Sequence, residues 1–517
     1  MTVRGADLVA RSLARAEAKR IFTLSGNHVM SIFDAAIDAG LDLVHVRHEA
    51  AAVHMADAWA RLTGEPGIAL VTGGPGHANA VSALYTALAS DSPLVLLSGH
   101  APVSELGKGA FQEMAQAEMA APAAKASWTV RSADDLGEDV ARALRMARSG
   151  RPGPVHLSLP SDLLEGAAED RVPPRAAFLP EPHAPSEAAL LAVLEPLRAA
   201  KRPLLVGAPA LATPRGRALL ARFEALTGVP AVAMESPRGI NDPALGLLAE
   251  VLKQADVVVL AGKRRDFTLK FGAAFGASAK VIDAEAELAP WIAAAERLAW
   301  TRSGWAGEVR AALDYRPAAW RTLASDPQGP LHPVELGRAV QPLLESPEAV
   351  LVSDGGEFGQ WAQATLRAPN RIINGPAGSI GSALPFAAAA KLAKPASTVV
   401  ALLGDGTFGF HCAEFDTAVR CGAPFIAVVG NDACWNAEHQ IQIRSYGAAR
   451  AVGCELLPTR YDRVAEAFGA HGEHVERPAD LAPALARAAA AAAAGRPACV
   501  NVRLARIPAP TFKRDPA

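Results

Sequence analysis

The sequence predicts an α/β protein made of three consecutive doubly wound parallel-sheet domains. Three observations carry that reading. Short, almost continuously apolar runs alternate with segments of helical spacing; two irregular stretches, the first rich in proline, interrupt the alternation; and 517 residues suit about three domains at roughly 100–200 residues each. Strands that are apolar throughout are covered on both faces, as parallel strands flanked by helices are.

The first domain is expected over residues 1–180. Positions 6–20 have helical spacing, and Arg20-Ile21-Phe22-Thr23-Leu24 then reads as a strand entering the turn Ser25-Gly26-Asn27. A helix over 29–39, a strand Leu43-Val44-His45-Val46, a helix over 50–62 and a strand over 67–72 follow, with further strands at 93–98 and 154–159. Residues 172–185 carry Pro173, Pro174, Pro180, Pro182 and Pro185 and read as an extended connector. A central domain over 186–321 restarts the alternation, with strands at 203–206, 229–232, 257–260 and 280–282. A second irregular stretch, 315–333, closes it, and a third domain over 334–507 has strands at 349–353, 399–403, 425–429 and 498–502.

Composition removes several classes of function. Charged residues make up 20% and hydrophobic residues 50%, which excludes disordered and fibrous chains. With 51 basic against 53 acidic residues and no basic run, neither a nucleic acid nor an anionic membrane is an expected partner. No apolar run reaches the about 18 residues of a membrane span. Charges in the first eleven residues stand where a signal peptide needs an apolar core. Cys412, Cys421, Cys434, Cys454 and Cys499 form no CxxC pair, which excludes a disulfide scaffold and a thiolate zinc site. Reduced thiols in a cytoplasmic protein are expected.

The most informative stretch is Val399-Val400-Ala401-Leu402-Leu403-Gly404-Asp405-Gly406-Thr407. It puts an aspartate at the carboxyl end of a buried parallel strand, where open α/β sheets bind ligands. A second strand ends in Gly430-Asn431-Asp432, with Asn431 26 residues after Asp405 (431 − 405). Alone, Gly-Asp-Gly is only a turn. With an asparagine at a neighbouring strand end, Asp405, the Asn431 amide oxygen and a backbone carbonyl make the oxygen shell that Mg²⁺ takes beside a phosphorylated ligand.

This arrangement resembles the cofactor motif of the thiamin-diphosphate-dependent enzymes, in the decarboxylase and acetolactate-synthase superfamily. The resemblance implies that Asp405, Asn431 and the carbonyl of Ala433 hold Mg²⁺, and that Gly404, Gly406 and Thr407 meet the diphosphate. Asp354-Gly355-Gly356-Glu357-Phe358-Gly359 resembles the first diphosphate-contacting turn, which brings Glu357 and Phe358 to the cofactor through backbone amides. In Asn374-Gly375-Pro376-Ala377-Gly378-Ser379-Ile380-Gly381, Gly378 would accept from the 4′-amine and Ile380 would be the apolar wedge that bends the cofactor.

The first domain resembles the same family. In Val46-Arg47-His48-Glu49-Ala50, Glu49 corresponds to the glutamate that hydrogen-bonds N1′ of the aminopyrimidine, and a carboxyl group there favours the imino tautomer that takes the proton from C2. Read by itself, Glu49 is a residue that caps the helix starting near Ala50. Val71-Thr72-Gly73-Gly74-Pro75-Gly76-His77-Ala78-Asn79 resembles the turn beside the pyrimidine, which brings in Pro75 and Asn79. Glu49 and Asp405 fall in different domains, and family members build each site between two subunits, so a homodimer or homotetramer is implied.

The substrate is less legible. Phe111-Gln112-Glu113 resembles a segment of acetolactate synthases in which Phe and Gln lie near the reacting carbons. Ser25-Gly26-Asn27-His28 departs from the synthase pattern, so Asn27 and His28 are expected to face the substrate, as is His77. Each histidine reads equally as a satisfied loop residue. A 2-oxo acid is the expected substrate, in decarboxylation or carboligation. The flavin-contacting segment is largely absent between Gly239 and 257–260, so FAD is not expected. Gly262-Lys263-Arg264-Arg265-Asp266-Phe267 resembles a stretch of 2-hydroxyacyl-CoA lyases and oxalyl-CoA decarboxylases, which leaves an acyl-CoA substrate as the alternative, its phosphates on the basic residues. A catalytically silent, cofactor-binding regulatory protein is the alternative of another class.

Overall fold

The computed structural model describes residues 2–181 and 183–513. Pro182 of the expected connector, and Met1 of the expected first domain, lie outside the described residues. The chain divides into two compact units, Met1–His183 with Ala388–Ala393, and Ala184–Ala387 with Lys394–Ala517.

The first unit opens with β1 (Thr2–Arg4), and its main sheet holds β2 (Arg20–Thr23), β3 (Asp42–His45), β4 (Gly67–Val71), β5 (Leu94–His100), β6 (Ala126–Thr129) and β7 (Val155–Pro160). All six are parallel, in the order β3-β2-β4-β5-β7-β6. β1 pairs antiparallel with β8 (Ala167–Glu169). The helix expected over 50–62 runs Glu49–Thr63, between His48 as N-cap and the left-handed Gly64. The proline-rich stretch is anchored rather than free: Phe178 is buried in the core of this unit, and the Arg145 guanidinium donates to the Ala177 carbonyl at 2.8 Å.

The second unit holds two sheets. The smaller consists of β9 (Pro203–Gly207), β10 (Ala231–Ala233), β11 (Val257–Ala261) and β12 (Lys280–Ala284), parallel in the order β10-β9-β11-β12. Its pleat explains the continuous apolar runs. Val257, Val259 and Ala261 enter one core with Leu205, while Val258 and Leu260 enter another with Leu204 and Val206. The larger sheet holds β13 (Val350–Ser353), β14 (Asn370–Ile373), β15 (Val399–Gly404), β16 (Ile426–Asn431), β17 (His471–Val475) and β18 (Ala498–Arg503), parallel in the order β14-β13-β15-β16-β18-β17. This order is the same permutation as in the first unit. In each, the winding reverses after the second strand, so a switch point opens beside the first strand, between β2 and β4 and between β13 and β15.

Five strands have no counterpart among those the sequence predicts: β1, β6, β8, β14 and β17. All lie at sheet edges, where polar residues replace the apolar run. β17 carries Glu473, paired with Arg487 at 2.7 Å and with His471 at 2.7 Å. Among the described residues no helix is long and apolar enough to cross a membrane, and the five cysteines are free thiols.

Candidate active site

Parallel strands deliver their following loops to one edge. In the first unit that edge gathers the loops after β2, β3, β4 and β5, around the switch point. Gly26, after β2, lies so close to Thr72, after β4, that a Cβ on it would stand 2.3 Å from the threonine Cβ. Only glycine admits this approach. His28 follows, buried, with Nδ1 3.2 Å from the Thr72 hydroxyl and its ring stacked at 6.1 Å on exposed Phe111. Gln112 takes the left-handed conformation (φ 59°) and lies against Gly74. The loop is gathered by Glu113, which accepts from the backbone N–H groups of Gly107, Gly109 and Ala110 at 2.5, 3.1 and 3.0 Å. These bonds hold its carboxyl below the ordinary range. Asn27 is exposed beside this group. The structure thus brings Asn27, His28, Phe111 and Gln112 to one edge.

Glu49 sits at the start of its helix, but the cap is His48, whose Nδ1 accepts from Ala50 N at 3.1 Å. The buried Glu49 carboxylate instead accepts from Asn79 Nδ2 at 3.0 Å, and its other oxygen faces Gly76. Asn79 and Pro75 lie exposed on the helix Pro75–Ala89. His77 departs from expectation. It is fully buried, with Nδ1 2.9 Å from the Ser98 hydroxyl and its ring 4.5 Å from that of His156, also fully buried. The turn of helix after Pro75 carries its side chain inward, so it supports the edge from beneath rather than facing a ligand. Burial pushes His77 down to about 4 and His156 well below its ordinary value. Gln116 completes this layer, accepting from Gly74 N at 2.7 Å and donating to the Gly99 carbonyl and the Ser158 hydroxyl, each at 3.1 Å.

In the second unit the switch point of the larger sheet is a cleft of about 300 Å³. The turns after β13, β15 and β16 line it, together with Ser236, Pro237 and Arg238, which follow β10, and Gly378 and Ile380. Asp354, fully buried, ties the cleft together by accepting from Gly355, Gly381 and Ala383 backbone N–H groups at 2.7, 2.9 and 3.1 Å. Burial outweighs these donors and pushes its carboxyl up to about 6. Glu357 accepts from Ala509 N at 2.5 Å, Phe358 packs against Gly430, and Ile380 against Gly355.

Asp405 is buried at the head of the turn after β15. It accepts from Cys434 N at 3.2 Å, and burial pushes its carboxyl up to about 6. Asp432 lines the same cleft, and burial, joined by the charge of Asp405, pushes it up to about 7. Asn431 donates both amide hydrogens, to the Thr459 carbonyl at 2.9 Å and to Asn501 Oδ1 at 3.1 Å, so its own oxygen keeps a fixed direction. Thr407 donates its hydroxyl to the Gly404 carbonyl at 3.0 Å. Ala433 differs from expectation: its carbonyl accepts from Leu456 N at 2.8 Å and Arg506 Nη2 at 3.2 Å, so this conformation does not present it to an ion. A Cβ on Gly404 would meet nothing within 4 Å, which leaves open space over the backbone where a ligand can lie.

Residues 3–119 match the family model described as thiamine pyrophosphate enzyme, N-terminal TPP binding domain, and residues 354–502 match its C-terminal TPP binding domain. The chain is 34% identical over 97% of its length to a probable acetolactate synthase of Mycobacterium bovis, covering 96% of that protein. The chain belongs to the thiamine pyrophosphate enzymes. It is also 32% identical, over 97% of its length, to 2-hydroxyacyl-CoA lyase 2 of Homo sapiens, covering 90% of that protein.

A thiamine pyrophosphate enzyme must cradle a diphosphate, and the second cleft has the features for one: open backbone at Gly404 and the start of the helix Gly356–Thr365. Asp354, Glu113, Asp432 and His156 were missed as supporting residues by the sequence reading. For Asp354 and Asp432 a signal existed, since each adjoins a glycine or asparagine at a strand end. The basic segment after β11 is largely neutralised in place: Lys263 pairs with Asp266 at 3.1 Å and Arg265 with Asp283 at 2.6 Å.

Proposed function

We propose that the protein is a thiamin-diphosphate- and Mg²⁺-dependent enzyme that breaks or forms a carbon–carbon bond at the carbonyl of a 2-oxo acid, as a decarboxylase or an acetolactate-synthase-like carboligase. The observation that supports this most is the pair of carboxylates in one glycine-walled cleft, Asp405 buried and Asp432 half-buried, both pushed up by desolvation. Burying like charges is costly unless a cation joins them. In this reading Asp405 and Asn431 hold Mg²⁺, backbone amides near Glu357 and Phe358 and the turn Gly404, Gly406 and Thr407 hold the diphosphate, and Ile380 and Gly378 shape the cofactor. When bound, thiamin diphosphate supplies an electron sink for the pair released by bond cleavage. Glu49 holds a proton at the aminopyrimidine with Asn79 fixing its carboxylate, Pro75 packs beside that ring, and Asn27, His28 and Gln112 face the substrate.

The domains divide as 1–180 for the pyrimidine, 186–321 central and 334–507 for the diphosphate, in a cytoplasmic homodimer or homotetramer without FAD. The test is to reconstitute the protein with thiamin diphosphate and Mg²⁺, offer pyruvate and benzoylformate, and look for aldehyde, acetoin or acetolactate. Stoichiometric FAD absorbance after reconstitution with FAD would overturn the flavin reading. The human relative favours a second reading, cleavage of a 2-hydroxyacyl-CoA, and turnover of such a thioester with none of the 2-oxo acids would select it.

A further inference from the structure

We infer that Arg238 is the anion-recognition residue of the cleft, its guanidinium taking the carboxylate of the 2-oxo acid. This rests on the reaction class proposed above. The cleft is lined by four carboxylates, Glu357, Asp405, Asp432 and Glu438, and among its described lining residues Arg238 is the one basic side chain. It is half-buried, and its guanidinium makes no hydrogen bond or ion pair with any described residue. The neighbouring arginines are committed: Arg217 and Arg371 both donate to Glu235, at 2.8 and 2.6 Å, and Arg506 donates to Glu455 at 2.7 Å. A cation left unpaired among carboxylates in a concave site is available to a ligand.

The turn that carries it is rigid. Buried Ser236 accepts from Arg238 N at 3.2 Å. Gly239 follows in the left-handed conformation (φ 56°), and a Cβ there would lie 2.2 Å from the Thr268 carbonyl oxygen. Glu235, one residue before Ser236, is buried and clamped to Arg371 of β14. The chain leaving β14 enters Asn374, whose amide donates to the Ser379 carbonyl at 2.7 Å, next to Ile380. A Cβ on Gly378 would stand 3.7 Å from Pro237 Cβ. The buried ion pair therefore frames the Arg238 turn and the Ile380 loop as one wall, and little ordering remains when an anion docks.

A guanidinium offers a planar fork that matches a carboxylate with two parallel bonds. In a 2-oxo acid the carboxylate is one bond from the reacting carbonyl, so a fork in the cleft that Ile380 also lines both binds and aims it. The phosphates of an acyl-CoA lie many bonds from its acyl carbon, and in the reading above the diphosphate of the cofactor is held by backbone turns, so neither is the first choice for this side chain.

The test uses the full chain loaded with thiamin diphosphate and Mg²⁺. Oxamate, a pyruvate isostere whose amide carbonyl is unreactive, and its neutral diamide oxamide are titrated by calorimetry into wild type, Arg238→Gln and Arg238→Lys. The expected result is that Arg238→Gln binds oxamate about 10- to 100-fold more weakly while oxamide is unchanged, with Arg238→Lys between. Unchanged oxamate affinity in Arg238→Gln overturns the inference. So does a matching fall in thiamin diphosphate affinity, which would give the guanidinium to the diphosphate, or a rise in KM confined to a 2-hydroxyacyl-CoA, which would give it to the thioester. Turnover of pyruvate or benzoylformate with an unchanged KM in Arg238→Gln sinks the inference and leaves the reaction class standing. Oxamate binding that depends on Arg238 in a protein that turns over no 2-oxo acid sinks the reaction class and leaves Arg238 as the carboxylate-recognition residue of the cleft.

Discussion

The two six-stranded sheets have one winding and different electrostatics. At the switch point of the first, the polar layer is built mostly of uncharged groups: Gln116 uses its amide on three partners, His77 leans on Ser98, and Asn79 holds the carboxylate of Glu49. At the switch point of the second, buried Asp354 and Asp405 and half-buried Asp432 are carboxylates that the protein's own donors do not fully compensate. The scaffold is shared, so the difference lies in side chains grafted on its loops. One edge is finished as a shaped wall, and the other concentrates carboxylates whose negative charge its own donors leave partly uncompensated. The first should therefore govern turnover and acid tolerance, and the second cofactor affinity.

The largest expected effect is at Glu49. Glu49→Gln keeps size and the hydrogen bond to Asn79 but removes the transferable proton, so kcat should fall about 10²- to 10⁴-fold. Because His48 caps the helix, the melting temperature should hold. Exchange of the cofactor C2 proton, followed by NMR, measures the loss directly. Exchange equal to wild type with a lowered melting temperature would reduce Glu49 to a structural residue and erase the contrast between the two edges.

The contrast was half legible in the sequence. Gly-Asp-Gly at a strand end and an asparagine at the next announce a ligand site because both motifs are local, and buried strands announce themselves by apolar content. What the sequence hid is tertiary. His77 sits two residues after Pro75, and only the helix turn decides that it points inward to His156, 79 residues away (156 − 77). Glu235 and Arg371 are polar residues in apolar company, and nothing local says that they pair. The polar edge strands escaped for the same reason, since their partners lie elsewhere in the chain.

The second effect concerns acid. The folded state holds His77 at about 4, below the ordinary 6.5, so the unfolded chain binds its proton more readily. That stability is complete above pH 6.5 and is lost as pH falls through 6.5 toward 4, by on the order of 3 kcal/mol for this residue. His156 acts in the same direction. Thermal unfolding of wild type and His77→Gln at pH 7 and pH 4.5 separates this from general acid denaturation: the fall between the two pH values should be smaller in the variant. Equal falls would show that the buried histidine layer does not carry the acid sensitivity of the first edge.

The smallest effect in fold terms, and the sharpest in sign, is at Asp405. Asp405→Asn removes one carboxylate from a cleft where Asp432 is its like-charged neighbour, and the amide still accepts from Cys434 N. The protein without cofactor should therefore melt no lower than wild type, because repulsion with Asp432 has gone. Affinity for thiamin diphosphate in the presence of Mg²⁺ should nonetheless weaken about 10- to 100-fold, the loss of one charged ligand. Paired measurements, calorimetric titration with the cofactor and melting temperature with and without it, read both signs. If cofactor affinity is retained, the second edge does not hold the cation through Asp405. If the cofactor-free variant is destabilised instead, the carboxylate is part of the framework, and the two edges differ less than their charges imply.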